Sequence, residues 1–276
     1  MRLVHLLENG LNQLRIAGIA TARLDVLVLL EDVTGIDRAR LLAEPELELS
    51  DTQVTRLEKL LKRRAAHEPL AYIRGKTEFY GREFVLTPDV LEPRPESETM
   101  IELLKHLVKN KGLKLSGRKK LKIADVGTGS GALGITAALE LPNCQVELLE
   151  IDTKAIKTAK INVEKFTLNI RVLKSDLLAQ SAKDYDLLLC NLPYVPDSYT
   201  INQAATHEPK IAIFGGPDGL DIYRKLFQQI DILAKKPLYI LTESLPPQHC
   251  ALEGIAKLSG YKLVTTDDFI QVFQKS

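Results

Sequence analysis

The sequence lacks tryptophan, and aromatic residues make up only 5% of its 276 positions. It has three cysteines, Cys144, Cys190 and Cys250, which are odd in number and lie far apart. Their spacing excludes a disulfide framework and a zinc site built from paired cysteines. We therefore expect buried free thiols in a reducing cytosol and no bound metal.

Long hydrophobic runs are also missing, although hydrophobic residues make up 45% of the chain and can form a sizeable core. No stretch approaches the ~18 apolar residues that a membrane-spanning helix needs. Glu8 and Asn9 interrupt the segment in which a signal peptide would need an unbroken apolar region. We expect a soluble, cytoplasmic protein with no membrane partner, and we expect a monomer.

The charge shows no strong bias, because 37 Lys and Arg residues face 36 Asp and Glu residues. A protein that binds nucleic acid usually has an excess of basic residues, so we do not expect a nucleic-acid partner. One local exception is the stretch 105–122, which has eight basic residues and no acidic one. This stretch is either a solvated helix end and loop or a basic dock for RNA or an acidic partner.

The first 75 residues have a helical pattern, with leucines at helical spacing near the start of the chain. Thr21 is a candidate helix N-cap, and Ser50 with Gln53 forms a capping-box pattern before an apolar stripe. The spacing of the hydrophobic residues then changes. The segment 77–86 predicts two short strands around Gly81, and several prolines stiffen the connector that follows.

From residue 121 onward, apolar strands alternate with helical segments, which predicts a mostly parallel, doubly wound α/β sheet of Rossmann type. Ligands bind such sheets outside the C-terminal ends of the strands. The predicted strands are 122–126, 145–151, 170–175, 185–191, 237–243 and 261–266, with predicted helices at 131–140 and 153–165.

Three of these strand ends have the features of a nucleotide-type cofactor site. The first strand is followed by a glycine loop next to a helix N-terminus. The loop contains the pattern G-x-G-x-x-G, which also occurs in nicotinamide-binding domains, so a nicotinamide cofactor remains an alternative. Glu150 ends the second strand and can accept both hydroxyls of a ribose. Asp176 can accept an adenine amino hydrogen while Leu177 covers the ring. The loop candidates are Asp125, Gly127, Thr128, Gly129, Ser130 and Gly131.

The fourth strand ends in Asn191-Leu192-Pro193-Tyr194. Asn191 offers a side-chain oxygen, Leu192 offers a carbonyl that Pro193 holds in an extended backbone, and Tyr194 offers a flat face. Two acceptors and a stacking wall suit a planar NH2 group, whose nitrogen can then attack a methyl sulfonium. Hydride transfer has no use for this arrangement, so the motif favours S-adenosylmethionine over NAD.

With these motifs, the sequence resembles the release factor glutamine methyltransferases, also called the HemK or PrmC family. The resemblance covers nearly the whole chain and is most specific in the linker, the Asn-x-Pro-Tyr region and the segment after it. The similar segments are 63–84, 90–98, 125–135, 150–162, 175–178, 190–194, 207–226 and 242–244.

The resemblance implies a helical substrate-recognition domain (1–75), a β-hairpin linker (76–95) and a seven-stranded Rossmann-like methyltransferase domain (96–276). It implies methyl transfer from S-adenosylmethionine to the glutamine side-chain amide in the Gly-Gly-Gln motif of class I peptide chain release factors. Residues 127–131 would hold the methionine end of the cofactor, Glu150 its ribose and Leu177 its adenine. Residues 191–194 would hold the glutamine.

The sequence departs from the family pattern at three places. Leu192 replaces the usual first proline of Asn-Pro-Pro-Tyr, Glu92 replaces an aliphatic residue, and the C-terminus lacks the usual Gly-x-x-Arg. Two alternatives therefore stay open. One is an amino-methyltransferase acting on adenine or cytosine in nucleic acid, and the other is a cofactor-binding relative with impaired catalysis.

Overall fold

The structure is a computed structural model that describes residues 1–110, 120–181 and 184–276. The chain forms two compact units. The first comprises Met1–Lys76 with Ile201–His207, and the second comprises Thr77–Thr200 with Glu208–Ser276. The three-part division drawn from the sequence, at residues 75 and 95, stays a prediction.

The first unit is helical because its leucines recur on one face of each helix and pack into a shared apolar core. The predicted capping box is confirmed, since Ser50 accepts from the Gln53 N–H while the Gln53 side chain accepts from the Ser50 N–H. The helices are α1 (Leu3–Ile16), α2 (Ala22–Thr34), α3 (Arg38–Ala43), α4 (Asp51–Ala65) and α5 (Leu70–Arg74).

Thr21 does not cap α2 as predicted. It occupies the N-cap position, but its hydroxyl donates to Asp25 Oδ2 at 3.0 Å and makes no bond to a free helix N–H. Asp25 is buried, and Arg64 donates to the same oxygen at 2.6 Å. A buried carboxylate needs such donors, and this need determines where the Thr21 hydroxyl points.

The second unit begins with the predicted hairpin and continues as an α/β sheet. Its strands are β1 (Lys76–Phe79), β2 (Arg82–Val85), β3 (Leu121–Val126), β4 (Cys144–Glu150), β5 (Arg171–Lys174), β6 (Leu187–Cys190), β7 (Tyr239–Glu243), β8 (Tyr261–Asp267) and β9 (Ile270–Lys275). Its helices are α6 (Glu98–Asn110), α7 (Ala132–Glu140), α8 (Thr153–Lys165), α9 (Asp221–Asp231) and α10 (His249–Leu258).

The main sheet has seven strands in the order β5-β4-β3-β6-β7-β9-β8. The first five are parallel, whereas β9 pairs antiparallel with both β7 and β8. Apolar clusters pack on both faces of the sheet, which is why a central strand such as β6 is buried at every position. The predicted seven-stranded Rossmann-like fold is confirmed. Strand β9 was not among the strands predicted from the sequence.

The thiols only partly match the prediction. Cys190 is buried and Cys144 is half-buried, but Cys250 is exposed. Cys250 is the second residue of α10 and faces solvent, while Leu252 and Ala256 form the buried side of that helix. The prediction of three buried thiols is therefore wrong for Cys250.

The basic stretch 105–122 lies partly outside the described residues, since positions 111–119 are not described. Of its described lysines, Lys105 pairs with Glu102 at 3.1 Å and Lys122 pairs with Asp184 at 2.9 Å. Part of its charge is therefore neutralised locally, and its role as a dock stays a prediction. Within the described ranges, no helix is both long and apolar enough to cross a membrane.

Candidate functional site

Three neighbouring parallel strands end within one residue of the same level of the sheet. Val126, the last residue of β3, pairs with Leu149 of β4 and with Cys190, the last residue of β6, and β4 continues by one residue to Glu150, which pairs with Lys174 of β5. The chain therefore leaves the sheet at adjacent places, and the predicted site residues follow at once. This edge is also where the connections diverge, with β4 on one side of β3 and β6 on the other. Ligands of open α/β sheets bind in such a crevice.

The glycine loop after β3 is tight because two of its N–H groups turn back to one carbonyl. The Gly127 and Thr128 N–H groups both donate to Leu149 O, at 2.9 and 3.0 Å. Gly127 has φ +72°, and a Cβ there would lie 2.9 Å from Leu192 Cδ2. Gly131, with φ +86°, begins α7 in the left-handed region. The positive φ favours glycine at residue 127, and a larger residue there would also have to displace the Leu192 side chain.

The buried carboxyl group of Asp125 holds the glycine loop in place through hydrogen bonds. It is 1% exposed, and its Oδ2 accepts from the Thr128 hydroxyl and from the Gly134 N–H at 2.9 Å. Burial raises the pKa of Asp125 to about 6, although both hydrogen bonds favour the ionised form. Asp125 therefore connects the strand, the loop and the first turn of α7, and it also lines the cavity.

Glu150 is more tightly bonded than the sequence indicated. Its Oε2 accepts from the Gly129 N–H at 2.9 Å, and its Oε1 accepts from the N–H groups of Ile151 and Asp152 at 2.8 and 2.9 Å. A carboxylate has about four acceptor sites, so roughly one remains, on Oε2. The geometry therefore allows one strong hydroxyl contact, whereas the sequence suggested two.

The segment after β5 places Asp176 and Leu177 beside the same cavity. Lys225 donates to Asp176 Oδ2 at 2.5 Å, which leaves the other carboxylate oxygen as a further acceptor. Leu177 has φ +53°, a conformation that a leucine rarely adopts. The Ser175 hydroxyl donates to Leu177 O at 2.7 Å and helps to hold it there. The surrounding contacts therefore hold Leu177 in a strained conformation that places its apolar side chain at the cavity wall.

The motif after β6 presents acceptors to the cavity. Asn191 donates through Nδ2 to Ser97 Oγ at 2.9 Å, so its oxygen is left for other partners. Among the described residues, none donates to the Leu192 carbonyl. The Leu192 N–H makes a long bond of 3.4 Å to the Tyr223 hydroxyl. Two acceptors therefore lie at consecutive residues of one wall.

Tyr194 does not line the cavity in the way that the sequence suggested. Its hydroxyl donates to Glu243 Oε1 at 3.1 Å, and burial raises the pKa of Tyr194 well above the ordinary value. Glu243 ends β7, is 1% exposed, and also receives the Ser97 hydroxyl on Oε2 at 2.5 Å. Burial raises the pKa of Glu243 against the lowering effect of these bonds. The stacking role of Tyr194 stays a prediction.

One cavity therefore gathers most of the predicted residues, whereas Gly131 and Tyr194 lie outside its lining. Those that line it are Asp125, Gly127, Thr128, Gly129, Ser130, Glu150, Asp176, Leu177, Asn191, Leu192 and Pro193. Sequence reasoning missed Ser97, Lys225 and Glu243 as site residues. Glu243 could have been suspected as an acid that ends a buried strand, but nothing in its neighbours along the sequence shows its partner.

The lining can hold an adenosine-type cofactor. A loop that is open at Gly129, a strand-end carboxylate with one remaining acceptor site and an apolar wall at Leu177 fit a ribose and its base. The two acceptors of Asn191 and Leu192 lie beside the glycine loop in the same cavity and suit a group that donates two hydrogens. This combination fits transfer of a cofactor group to an amine or amide nitrogen.

The comparisons with known proteins agree on one group. Residues 5–75 match the PrmC N-terminal domain and residues 101–208 match the methyltransferase small domain. The chain is 35% identical over 248 residues to a release factor glutamine methyltransferase of Coxiella burnetii, covering 89% of this chain and 87% of that protein. It is 36% identical over 265 residues to one of Moorella thermoacetica, covering 94% and 91%.

Among solved structures, the N-terminal domain of human METTL16 in complex with SAH is similar in fold. The TM-score is 0.50 with 17% sequence identity, and the match covers 83% of this chain and 84% of that one. At this identity the likeness concerns the fold of the chain.

Ionisation of Asp125 should destabilise the fold, since its pKa is about 6 against an ordinary value of 3.8. Between these values the folded protein binds the proton more strongly than the unfolded chain, so stability falls as pH rises. Asp125→Asn removes the titration, and its oxygen can accept both bonds that Oδ2 accepts now. From about pH 4.5 to about 6.5, the unfolding free energy of the wild type relative to this variant should fall by about 1–3 kcal/mol.

Urea denaturation at a series of pH values measures this difference, which should level off above about pH 7. A constant difference across the series, or one that grows with pH, would show that the buried carboxylate is not held as described.

Proposed function

Because this chain belongs to the release factor glutamine methyltransferase family, we propose that it transfers a methyl group from S-adenosylmethionine to a glutamine side-chain amide. The glutamine is that of the Gly-Gly-Gln motif in class I peptide chain release factors. The observation that carries this proposal is the pair of acceptors at Asn191 and Leu192 beside a cofactor-type cavity.

Several observations support S-adenosylmethionine as the cofactor. Glu150 retains one acceptor site for a ribose hydroxyl, and Leu177 is held at the wall where a base can lie. The glycine loop lines the cavity at residues 127–130 and is open at Gly129, where the methionine end would lie. The similar human structure is described as a complex with SAH. When bound, S-adenosylmethionine supplies a methyl group on a sulfonium, which is an electrophile.

The protein residues would act on the attacking nitrogen. The lone pair of an amide nitrogen is delocalised, so the nitrogen is a poor nucleophile. Asn191 Oδ1 and Leu192 O can each accept one N–H of a substrate amide, which fixes the nitrogen and helps it to pyramidalise. Positive charge that develops on nitrogen in the transition state is stabilised by the same two oxygens. The buried position of Leu192 keeps its carbonyl direction fixed.

The direct test is a methyl-transfer assay with labelled S-adenosylmethionine and three kinds of substrate. A release factor should be methylated, its variant with the Gly-Gly-Gln glutamine replaced should not, and adenine- or cytosine-containing oligonucleotides should not. Methylated oligonucleotides with an inert release factor would instead support the nucleic-acid alternative. Cofactor binding without any transfer would support an impaired relative.

Asn191→Ala should lower the rate of methyl transfer by ~10²-fold or more, because the variant loses an oriented acceptor for the reacting amide. The dissociation constant of S-adenosylmethionine, measured by calorimetry, should change little. Asn143→Ala is the matched control, since Asn143 is exposed and does not line the cavity. Full turnover by Asn191→Ala would remove Asn191 from the proposed mechanism.

Glu150→Ala should weaken S-adenosylmethionine binding about tenfold or more, since a charge-assisted bond contributes about 1.5–3 kcal/mol. Glu150→Asp keeps a carboxylate and should retain most of the affinity, while circular dichroism checks that both variants fold. Equal affinity of the alanine variant and the wild type would contradict a ribose role for Glu150.

We also propose that residues 1–75 recognise the release factor and that residues 96–276 form the methyltransferase domain. Residues 76–95 would form the linker between these two parts. The separate match of residues 5–75 to an N-terminal domain supports this division. Cross-linking with a release factor should therefore modify Lys59 and Lys62, which are exposed on α4, more than the exposed Lys257 on α10. Cross-links confined to Lys257 and its surroundings would contradict a recognition role for the helical unit.

A further inference from the structure

The side chain of Asn191 can present either its oxygen or its NH2 group to the cavity. The two orientations have nearly the same shape, so packing does not choose between them. Only the oxygen can accept an N–H from a substrate amide. An NH2 group in its place would face the substrate N–H with a second hydrogen-bond donor, and no hydrogen bond could form. Something beside Asn191 must therefore fix which end points inward.

Ser97 lines the same cavity beside Asn191 and contacts it directly. Asn191 Nδ2 is 2.9 Å from Ser97 Oγ, and Ser97 Oγ is 2.5 Å from Glu243 Oε2. Ser97 and Glu243 are each 1% exposed, so bulk water does not compete for these bonds. The three side chains form a short line from a buried carboxylate to the cavity wall.

The number of hydrogens in this line determines its direction. Ser97 donates its single hydroxyl hydrogen to Glu243 Oε2, so this hydrogen is not available to Asn191. The Ser97 oxygen is then left with lone pairs and can only accept from Asn191. Asn191 must turn its NH2 group toward Ser97, and its oxygen toward the cavity. The opposite orientation would leave a buried group without a partner, which typically costs about 1–3 kcal/mol.

The fold brings these residues together from distant positions. Cys190 of β6 pairs with Thr242 of β7, so the next residues, Asn191 and Glu243, are neighbours across the sheet. Ser97 comes from the short helical turn Pro95–Ser97 that precedes α6. The Tyr194 hydroxyl supplies the other oxygen of Glu243 with a donor, at 3.1 Å. Both carboxyl oxygens of Glu243 therefore accept a hydrogen bond from a hydroxyl.

We propose that Ser97 and Glu243 are positioning residues that set the orientation of the Asn191 amide and thereby the site's preference for substrates that donate an N–H. The inference rests on the proposed function, since it presumes an amine or amide as the acceptor of the methyl group. Neither residue needs to touch the substrate for this role.

Two substitutions remove the orientation in different ways. Ser97→Ala deletes the hydroxyl that accepts from the Asn191 amide and donates to Glu243, so that only the direct interaction between the Asn191 side chain and Glu243 remains. Glu243→Gln keeps the shape but lets an amide face Ser97 with either a donor or an acceptor. Each should lower kcat for glutamine methylation about tenfold or more, with the S-adenosylmethionine dissociation constant changed less than about threefold. Ser259→Ala is the matched control, because Ser259 is a buried serine whose hydroxyl donates to Asp231 at 2.9 Å away from the cavity lining.

A double-mutant cycle separates positioning from general loss of structure. Ser97 acts through Asn191 in this account, so Ser97→Ala should cause no further fall in residual rate when Asn191 is already alanine. If the two losses multiply, Ser97 acts independently of Asn191 and the proposal is overturned. Wild-type kcat in both Ser97→Ala and Glu243→Gln would overturn it as well.

A readout without catalysis makes the test independent of the proposed function. The side-chain NH2 signal of Asn191 in a nitrogen–proton NMR spectrum is the one that Asn191→Ala removes. Its hydrogen exchange should be about tenfold or more faster in Ser97→Ala and Glu243→Gln than in the wild type or Ser259→Ala. Unchanged exchange would contradict the orientation by Ser97. An inert release factor combined with the expected exchange pattern would defeat only the proposed substrate.

Discussion

The nearly common level at which β3, β4 and β6 end is the constraint on which the rest of the site depends. Parallel pairing with Val126 opposite both Leu149 and Cys190 places three departing segments side by side. Each segment then turns out of the sheet with free backbone groups that need partners. The Leu149 carbonyl takes two N–H groups of the glycine loop, and Glu150 takes three more from the loop and its own segment. The cavity is the space that these turns enclose.

Two buried carboxyl groups hold the segments at this edge of the sheet in place through hydrogen bonds. Asp125 holds the loop after β3, and Glu243 holds the hydroxyls of Ser97 and Tyr194 after β7. Both carboxyl groups have a raised pKa because of burial, so each depends on its hydrogen-bond donors. Buried acids that accept such hydrogen bonds fix the direction of neighbouring polar groups. The cavity wall can then present oxygens, at Asn191 and Leu192, where a substrate amide presents hydrogens.

Much of this architecture follows from local sequence patterns. The strands between residues 121 and 266, the hairpin around Gly81 and the capping box at Ser50 were predictable from period and turn chemistry. Most of the predicted residues do line one cavity. Hydrogen bonds that depend on tertiary contacts could not be predicted from the sequence. Ser97 and Glu243 are 146 positions apart, and the Thr21 hydroxyl points to Asp25 because Asp25 is buried. The three backbone bonds that occupy Glu150 likewise depend on how its segment turns.

The central claim is that Asn191 and Leu192 hold the NH2 group of a glutamine side chain for methyl transfer. A crystal structure with S-adenosylhomocysteine and a peptide containing Gly-Gly-Gln measures this directly. The account predicts the glutamine amide nitrogen within hydrogen-bond distance, about 2.7–3.2 Å, of both Asn191 Oδ1 and the Leu192 carbonyl oxygen. An amide nitrogen bound elsewhere in the cavity, or facing the NH2 group of Asn191, would contradict it.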